Sequence, residues 1–401
     1  MPPAGRALER LILELMDSGQ PLLVAAPENP LWRAGGVLLL VLLPAVLGWL
    51  ASRLAGSGGG GDAWRAHLAR GRRLVRESEA LVVLDEPSGG GALRMLVFKS
   101  APALRQSEAR VRYLDGAAVV QHQPVLASHV NRGMACGVAL LDLARTPLLQ
   151  GAAPAADDAG AVRAAVIGAG GCVLPCWLCG LSPSIAVDAV ESCAEVAAAA
   201  TDCFGAGSVG PALRLVVQDG ATFVESAAGS YDLLFVTAGG ASDLATGCLA
   251  PPTSLCSASF ARHARRALRP GGVYAVNVLA PTDAGARQAV ATLRERLLAT
   301  GFPASGVHVA CTSFRSSDGG GGAGGNVILF AALGGGRGEG GGDEGGGEPV
   351  EWAQLAGRLK GCRNPWLQAL EKAESGGAGS SLVAWQTWAQ FEQAAERVDR
   401  D

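Results

Sequence analysis

The stretch that decides the fold is RAAVIGAGGCVLPCWLCGLSPSIAVDAVE, residues Arg163 to Glu191. It predicts a buried strand, a glycine turn at Gly168 and Gly170, an apolar helix and a second strand that ends on Asp188. Glycine lets the backbone adopt positive φ and approach a ligand, and the N-terminus of the next helix presents unpaired N–H groups. An acid about twenty residues after the glycines can accept hydrogen bonds from ribose hydroxyls. The stretch therefore indicates a nucleoside-binding unit or, alternatively, a merely structural strand–helix–strand turn.

The chain beyond this stretch continues to alternate helices and strands. The predicted elements, in order, are a helix at Ser192–Cys203, strands at Leu213–Val217 and Tyr231–Val236, a helix at Ser257–Leu268, a strand at Val273–Leu279, a helix at Asp283–Ala299 and an antiparallel pair at Val307–Cys311 and Asn326–Ala332. Such alternation is typical of a parallel sheet covered by helices on both faces. A ligand of such a sheet binds at the carboxyl ends of the strands, where Gly168, Asp188, Asp219 and Thr237 are expected.

A small β subdomain is predicted before the glycine turn. Ala80–Leu84 and Leu93–Phe98 form a β-hairpin around a proline and glycine turn, and Val111–Leu114 is a further strand. Apolar residues at helical spacing then predict a helix over Val125–Leu143, with His129 near its start. His129 has two interpretations, a structural hydrogen-bonding residue or a catalytic group.

Composition excludes some classes of function. The net charge of the 401 residues is -3, and no basic stripe interleaved with aromatic residues occurs, so nucleic-acid binding is not expected.

Cys172, Cys176 and Cys179 form C-x3-C-x2-C, which resembles the iron–sulfur signature of radical enzymes. Because the three cysteines share one helical face, we favour the alternative that they pack as small buried side chains and bind no metal.

A membrane anchor is predicted near the N-terminus. Residues 34–52 carry no charge and are long enough to cross a bilayer, and Trp32 and Trp49 stand where interfacial anchors belong. Six arginines follow between Arg53 and Arg76, against three before the segment, so the positive-inside rule puts the C-terminal bulk in the cytosol. The expectation is a single-pass membrane protein. The alternatives are a signal-like segment and a buried hairpin in a cytoplasmic protein.

Composition shifts divide the chain into seven parts. These are an N-terminal segment (1–33), the transmembrane helix (34–52), a glycine-rich linker (53–62), the β subdomain and its helix (63–150), the Rossmann-like domain (160–333), a Gly/Glu linker (334–349) and a helical tail (350–401). Four tryptophans in the tail favour packing onto the main domain over a ligand platform.

Five stretches together carry a resemblance to a known family. They are RMLVFKSAPALRQSEARV (94–111), LASHVNRGMACGVALL (126–141), VIGAGG (166–171), VVQDGATFV (216–224) and the pair LRPGGVYAVNVL (268–279) and NVILF (326–330). The chain from about 80 to 333 resembles the spermidine synthase-like group of class I S-adenosylmethionine-dependent methyltransferases. Within that group it is most similar to the C-terminal domain of the elongation factor 1-alpha lysine and N-terminal methyltransferase.

The resemblance implies S-adenosyl-L-methionine as the cofactor and assigns residues to it. The residues that it implies for cofactor binding are Gly168, Ala169 and Gly170 at the methionine portion, Asp188 at the ribose, and Asp219, Gly220 and Ala221 at the adenine. Catalytic roles are expected for Thr237, Asp243 and His129. The acceptor implied is an amine on a protein, a lysine or an N-terminus.

Three positions depart from the family pattern. Cys172 stands where a third glycine is frequent, Val190 replaces a second acid, and Thr237 stands where the strand usually ends in acids. Aminopropyl transfer needs a carboxylate to bind and deprotonate the attacking amine, whereas methyl transfer needs mainly in-line positioning. We therefore expect a methyltransferase. The alternatives are a polyamine aminopropyltransferase and a membrane-tethered, non-catalytic binding protein that keeps the fold.

Overall fold

The structure is a computed structural model. It describes residues 64–102, 104–122, 126–141, 161–239, 249–280, 282–312, 326–333, 352–361, 367–368, 370–372 and 382–387. All of them belong to one compact unit, residues 62–401. The predicted membrane anchor at 34–52 and both glycine-rich linkers lie outside the described residues.

The first part of the described chain is an antiparallel five-stranded sheet. Its strands are β1 (Arg73–Glu77), β2 (Leu81–Ser88), β3 (Gly91–Phe98), β4 (Arg105–Leu114) and β5 (Ala117–Gln121), each paired with the next. The predicted hairpin is confirmed as β2 and β3, and its turn uses positive φ at Gly89 and Gly90, as a two-residue hairpin turn requires. The sequence missed β1 and β5, which are short and partly exposed and lack a clear apolar alternation.

A buried ion pair joins this sheet to the domain that follows. Arg94 donates from Nε and Nη2 to Asp85 at 2.8 and 2.9 Å, and from Nη1 to the carbonyl of Cys203 at 2.6 Å. Burial alone would raise the pKa of the Asp85 carboxyl, but hydrogen bonds from Arg94 and Tyr113 outweigh it and hold this pKa below its usual range. Since Cys203 belongs to a helix of the larger domain, the ion pair fixes the small sheet against that domain.

Eight strands form the main sheet. They are β6 (Val162–Ile167), β7 (Ile185–Glu191), β8 (Leu213–Val217), β9 (Tyr231–Val236), β10 (Leu268–Leu279), β11 (Val307–Thr312), β12 (Asn326–Ala332) and β13 (Leu382–Thr387). Their spatial order is β13-β11-β12-β10-β9-β6-β7-β8. The strands β6 to β10 pair in parallel, while β12 is antiparallel to both β10 and β11.

Helices cover both faces of this sheet. They are α2 (His129–Ala135), α3 (Val173–Leu181), α4 (Ala194–Cys203), α5 (Gly220–Ser226), α6 (Thr253–Cys256), α7 (Ala258–Ala267), α8 (Asp283–Leu298) and α9 (Trp352–Gly361). A further helix, α1 (Ala66–Ala69), precedes β1 and packs through Leu68 on the small sheet. One apolar core contains residues of α2, α3 and α4, and the other contains residues of α5, α7 and α8. The predicted Rossmann-like α/β fold is confirmed. Because the chain passes from β6 outward to β8 and returns to β9 on the other side, the crevice that binds ligands in such folds lies between β6 and β9.

Two predicted elements are corrected. The helix expected over Val125–Leu143 is short, since α2 is followed directly by a 3-10 turn at Cys136–Leu140. The tail is not wholly helical, because Leu382–Thr387 pairs with β11 as the strand β13. Its sequence LVAWQT is rich in β-formers, and the open edge of β11 offers backbone hydrogen-bonding groups to it. No helix in the described parts of the chain is long and apolar enough to span a membrane.

Candidate functional site

The glycine turn after β6 lies against the ends of β7 and β9. Gly168 and Ala169 donate their N–H groups to the carbonyl of Val190 at 2.8 and 3.0 Å. Gly168 has a φ of +76°, and a Cβ added to it would lie 2.3 Å from the Cα of Ala238. Both the conformation and the close approach exclude a side chain. The turn therefore brings backbone to the crevice between β6 and β9, as the sequence predicted.

The β subdomain reaches over this turn through two polar residues of β4. Ser107 Oγ accepts a hydrogen bond from the N–H of Gly171 at 2.8 Å, and a Cβ at Gly170 would lie 2.6 Å from the same oxygen. Gln106 Oε1 would lie 3.3 Å from a Cβ at Gly239, just beyond the end of β9. The sequence pattern does not single out Gln106 and Ser107 as site residues. The only signal was their position within one of the stretches that carry the family resemblance.

The three neighbouring cysteines are buried at the start of α3 and along it. Cys172 adopts the left-handed conformation, with a φ of 55°, which is rare outside glycine and agrees with its standing at a glycine position. Burial raises the pKa of the Cys172 and Cys179 thiols to about 12, and it raises the pKa of Cys176 further. With no metal bound, these thiols are therefore protonated at neutral pH. No cluster of potential metal ligands occurs among the described residues.

Glu191, not Asp188, is the acid at the carboxyl end of β7. Its Oε2 accepts from the N–H of Gly170 at 3.0 Å and its Oε1 accepts from the N–H of Cys193 at 3.0 Å. Glu191 is 9% exposed, and its hydrogen bond from Gly170 places it directly beneath the glycine turn. A carboxylate has about four acceptor positions, so two remain for a ligand. An acid thus lies at the glycine turn as expected, but it is Glu191, three residues after the predicted Asp188.

Asp188 lies toward the opposite edge of the sheet. Arg214 donates to its two oxygens at 2.7 and 2.9 Å, and Tyr231, the first residue of β9, donates at 2.6 Å. Burial alone would raise the pKa of the Asp188 carboxyl, but these hydrogen bonds hold it below its usual range. The structure thus does not bring Asp188 to the glycine turn, and its predicted contact with the ribose stays a prediction. The predicted strand ended too early, since Ala189 and Val190 continue β7.

A second carboxylate, Asp219, lies at the end of the neighbouring strand β8. It caps α5, and its Oδ1 accepts from Thr222 N at 2.8 Å and from Thr222 Oγ1 at 3.0 Å. Hydrogen bonds from the N–H groups of Thr222 and Ala221 hold its pKa below the usual range, so the group is ionised at neutral pH. The side chain is exposed at the edge of the crevice.

Backbone contacts bring the two acids to the same edge. The N–H of Gln218, beside Asp219, donates to the carbonyl of Glu191 at 3.1 Å. Gly220 packs so closely that a Cβ there would lie 2.2 Å from Ile167 Cγ2. The segment after β8 is thus fixed against the last residue of β6. Glu191, Asp219 and the glycine turn share one edge of the sheet.

Thr237 lies directly at the turn. Its N–H donates to the carbonyl of Ile167 at 2.9 Å, and its Oγ1 donates to the carbonyl of Gly168 at 2.7 Å. The hydroxyl therefore stabilises the turn as well as lining it. Asp243, predicted to hold a substrate amine, lies outside the described residues.

His129 lies at the first turn of α2, which Ser128 caps. The Nδ1 of His129 is 2.9 Å from Nη2 of Arg132. The other terminal nitrogen of Arg132, Nη1, donates to the carbonyl of Leu126. These contacts fit the structural interpretation of His129. A catalytic role for it stays a prediction.

Comparisons with known proteins give structural likenesses at low identity. Neither protein-family models nor curated proteins match the sequence. A probable spermidine synthase from Corynebacterium glutamicum ATCC 13032 is similar at 18% identity and a TM-score of 0.45, covering 76% of this chain and 94% of that one. Human methyltransferase-like protein 13 in complex with SAH is similar at 22% identity and a TM-score of 0.42, covering 61% and 93%. The fold assignment here rests on the order and direction of the strands.

The arrangement suits a nucleoside-containing ligand. A turn free of side chains allows close approach of a polar group to backbone, and a buried carboxylate at the strand end can accept from two vicinal hydroxyls. The exposed carboxylate of Asp219 can accept from an exocyclic amine. The observed residues therefore fit the cofactor that the family resemblance implies.

Proposed function

We propose that the chain is an S-adenosylmethionine-dependent methyltransferase that acts on an amine of a protein. The observation that carries the proposal is the position of Glu191, buried beneath the glycine turn with acceptor positions left for a ligand. In this assignment Glu191 holds the ribose, Asp219 accepts from the adenine amine, and the backbone of Gly168 and Gly170 faces the methionine portion. When bound, the cofactor would supply a methyl group carried on a sulfonium, whose sulfur would keep the electron pair of the broken carbon–sulfur bond. The acceptor nitrogen gains the methyl group and loses a proton to solvent.

The residue at the end of β9 supports methyl transfer over aminopropyl transfer. Thr237 commits its hydroxyl hydrogen to the carbonyl of Gly168 and carries no carboxylate that could deprotonate an ammonium. Methyl transfer requires mainly an in-line nucleophile.

Calorimetry with S-adenosylmethionine and with its decarboxylated form distinguishes the two chemistries. Preference for the decarboxylated form would make the chain an aminopropyltransferase, and tight binding without transfer would make it a non-catalytic binding protein.

The two carboxylates of β7 provide a matched test of the site. Glu191→Gln should weaken S-adenosylmethionine binding by about 1.5–3 kcal/mol, the scale for a lost hydrogen bond to a charged group. Asp188→Asn is the control. It alters a carboxylate of the same strand at the opposite edge, so it should lower stability without changing cofactor affinity. Isothermal titration calorimetry on the full-length chain measures the cofactor affinity of both variants. Weaker binding by Asp188→Asn with unchanged binding by Glu191→Gln would overturn the assignment of Glu191.

A membrane location is a further part of the proposal. The uncharged segment 34–52 and the arginines that follow it support a single anchor with the transferase on the cytosolic side.

A further inference from the structure

Asn277 is a buried polar residue at the carboxyl end of β10. Val276 and Val236 form the last paired position of β10 and β9, so Asn277 and Thr237 are the next residues of the two neighbouring strands. Neighbouring strands lie about 5 Å apart, which puts Asn277 on the strand next to Thr237 at the same end of the sheet. Asn277 is 6% exposed. It therefore lies at the edge of the sheet that carries the glycine turn, one strand beyond the crevice.

The alternation of β10 assigns the side chain of Asn277 to one face. Val276 and Val278 belong to the core beneath α5, α7 and α8, while Val273 and Ala275 belong to the core beneath α2, α3 and α4. Asn277 shares the second face with its paired neighbour Ile328 on β12. A polar amide thus stands where the preceding positions of the same face are apolar.

The amide oxygen of Asn277 has no hydrogen-bond partner in the described part of the chain. A buried acceptor without a partner destabilises a fold by about 1–3 kcal/mol, and native proteins keep few such groups. An apolar side chain of similar size would avoid this penalty. The amide oxygen of Asn277 is therefore free to accept a hydrogen bond from a bound ligand.

We propose that Asn277 Oδ1 accepts a hydrogen bond from the acceptor nitrogen of the substrate. The inference rests on the proposed function and specifies the substrate class, a nitrogen that carries at least one N–H. Such a nitrogen donates N–H to Asn277 while its lone pair stays free to face the methyl group, which is the in-line orientation that transfer requires. An amide oxygen is too weak a base to remove a proton. Asn277 therefore orients the acceptor and takes no part in proton transfer.

The test compares Asn277→Leu with Ser184→Ala in the full-length chain. Ser184 Oγ is also buried without a partner among the described residues, but it precedes β7 at the opposite edge of the sheet. Both variants remove an unpaired oxygen, so both should unfold at a higher temperature than the wild type. Only Asn277→Leu should affect the acceptor.

The acceptor probes are n-butylamine and butyltrimethylammonium, which lacks N–H, each titrated with saturating S-adenosylhomocysteine present. The wild type and Ser184→Ala should prefer n-butylamine by at least about tenfold, and Asn277→Leu should lose the preference while binding S-adenosylhomocysteine unchanged. An unchanged preference in Asn277→Leu, a lower unfolding temperature in that variant, or no amine binding by the wild type would overturn the proposal. Failure of the wild type to bind S-adenosylhomocysteine would instead overturn the proposed function.

Discussion

Gly168 shows how one residue sets the geometry of the crevice. Its positive φ and its approach to Ala238 leave no space for a Cβ, so the turn brings backbone where a side chain would otherwise lie. Cys172, four residues later, adopts a similar left-handed conformation in spite of its side chain. The turn thus tolerates a strained residue at one position and requires glycine at the other, because only Gly168 faces neighbouring backbone at such short range.

Gly168→Ala should destabilise the fold by about 3 kcal/mol, since the strain of positive φ is added to a clash with backbone. Gly210→Ala is the matched control. Gly210 has a φ of +85° and nothing within 4 Å of an added Cβ, so only the strain remains and about 1 kcal/mol is expected. Urea unfolding of both variants measures the difference. Equal decreases in the free energy of unfolding would show that the close approach of Ala238 does not contribute to the effect of Gly168→Ala.

The strand β11 contains a titratable group in the interior of the sheet. His308 is 1% exposed and is paired with Phe330 on one side and Thr387 on the other. Burial, with the nearby charge of Arg358 adding to it, lowers the pKa of His308 to about 4. The folded protein therefore keeps this imidazole neutral over a range in which an unfolded chain binds a proton.

Because of His308, the free energy of unfolding should decrease as the pH is lowered below about 6.5. Between pH 6.5 and the folded pKa the unfolded state binds the proton and the folded state does not, so acid favours unfolding. At 1.36 kcal/mol per unit, the wild type should lose about 2 kcal/mol more than His308→Gln between pH 6.5 and 5. The comparison with the variant is necessary because burial also lowers the pKa of His122. Parallel urea-unfolding profiles for the two proteins would contradict the prediction.

At the scale of the whole molecule, two sheets build one site. The main sheet supplies the glycine turn and the acids, and the small sheet supplies Gln106 and Ser107 above them. The hydrogen bond from Arg94 to the carbonyl of Cys203 fixes the small sheet to α4. The geometry of the crevice therefore depends on how the two sheets are fixed to each other.

The proposed membrane anchor at 34–52 is tested on the whole chain. Full-length protein should remain in the membrane pellet after carbonate extraction, and Leu40→Asp with Leu43→Asp should release it, because each acid at the centre of a membrane helix is unfavourable by about 3 kcal/mol. Leu74→Asp with Leu114→Asp adds the same charge at exposed positions of the small sheet and should stay in the pellet. Wild-type protein in the soluble fraction would show that 34–52 is no anchor.

The amino-acid sequence alone predicted the order of the strands from β6 to β12, the helices α3, α4, α7 and α8 between them, and the need for glycine at Gly168, but it missed α5 and α6. These predictions depend on local properties, namely the periodicity of apolar residues and the backbone freedom of a residue without Cβ. Only the tertiary structure decided that Glu191 rather than Asp188 lies beneath the turn, because the answer depends on the register of β7 against β6. It also decided the approach of Ser107 and the pairing of β13, since contacts between residues far apart in the chain leave no local pattern.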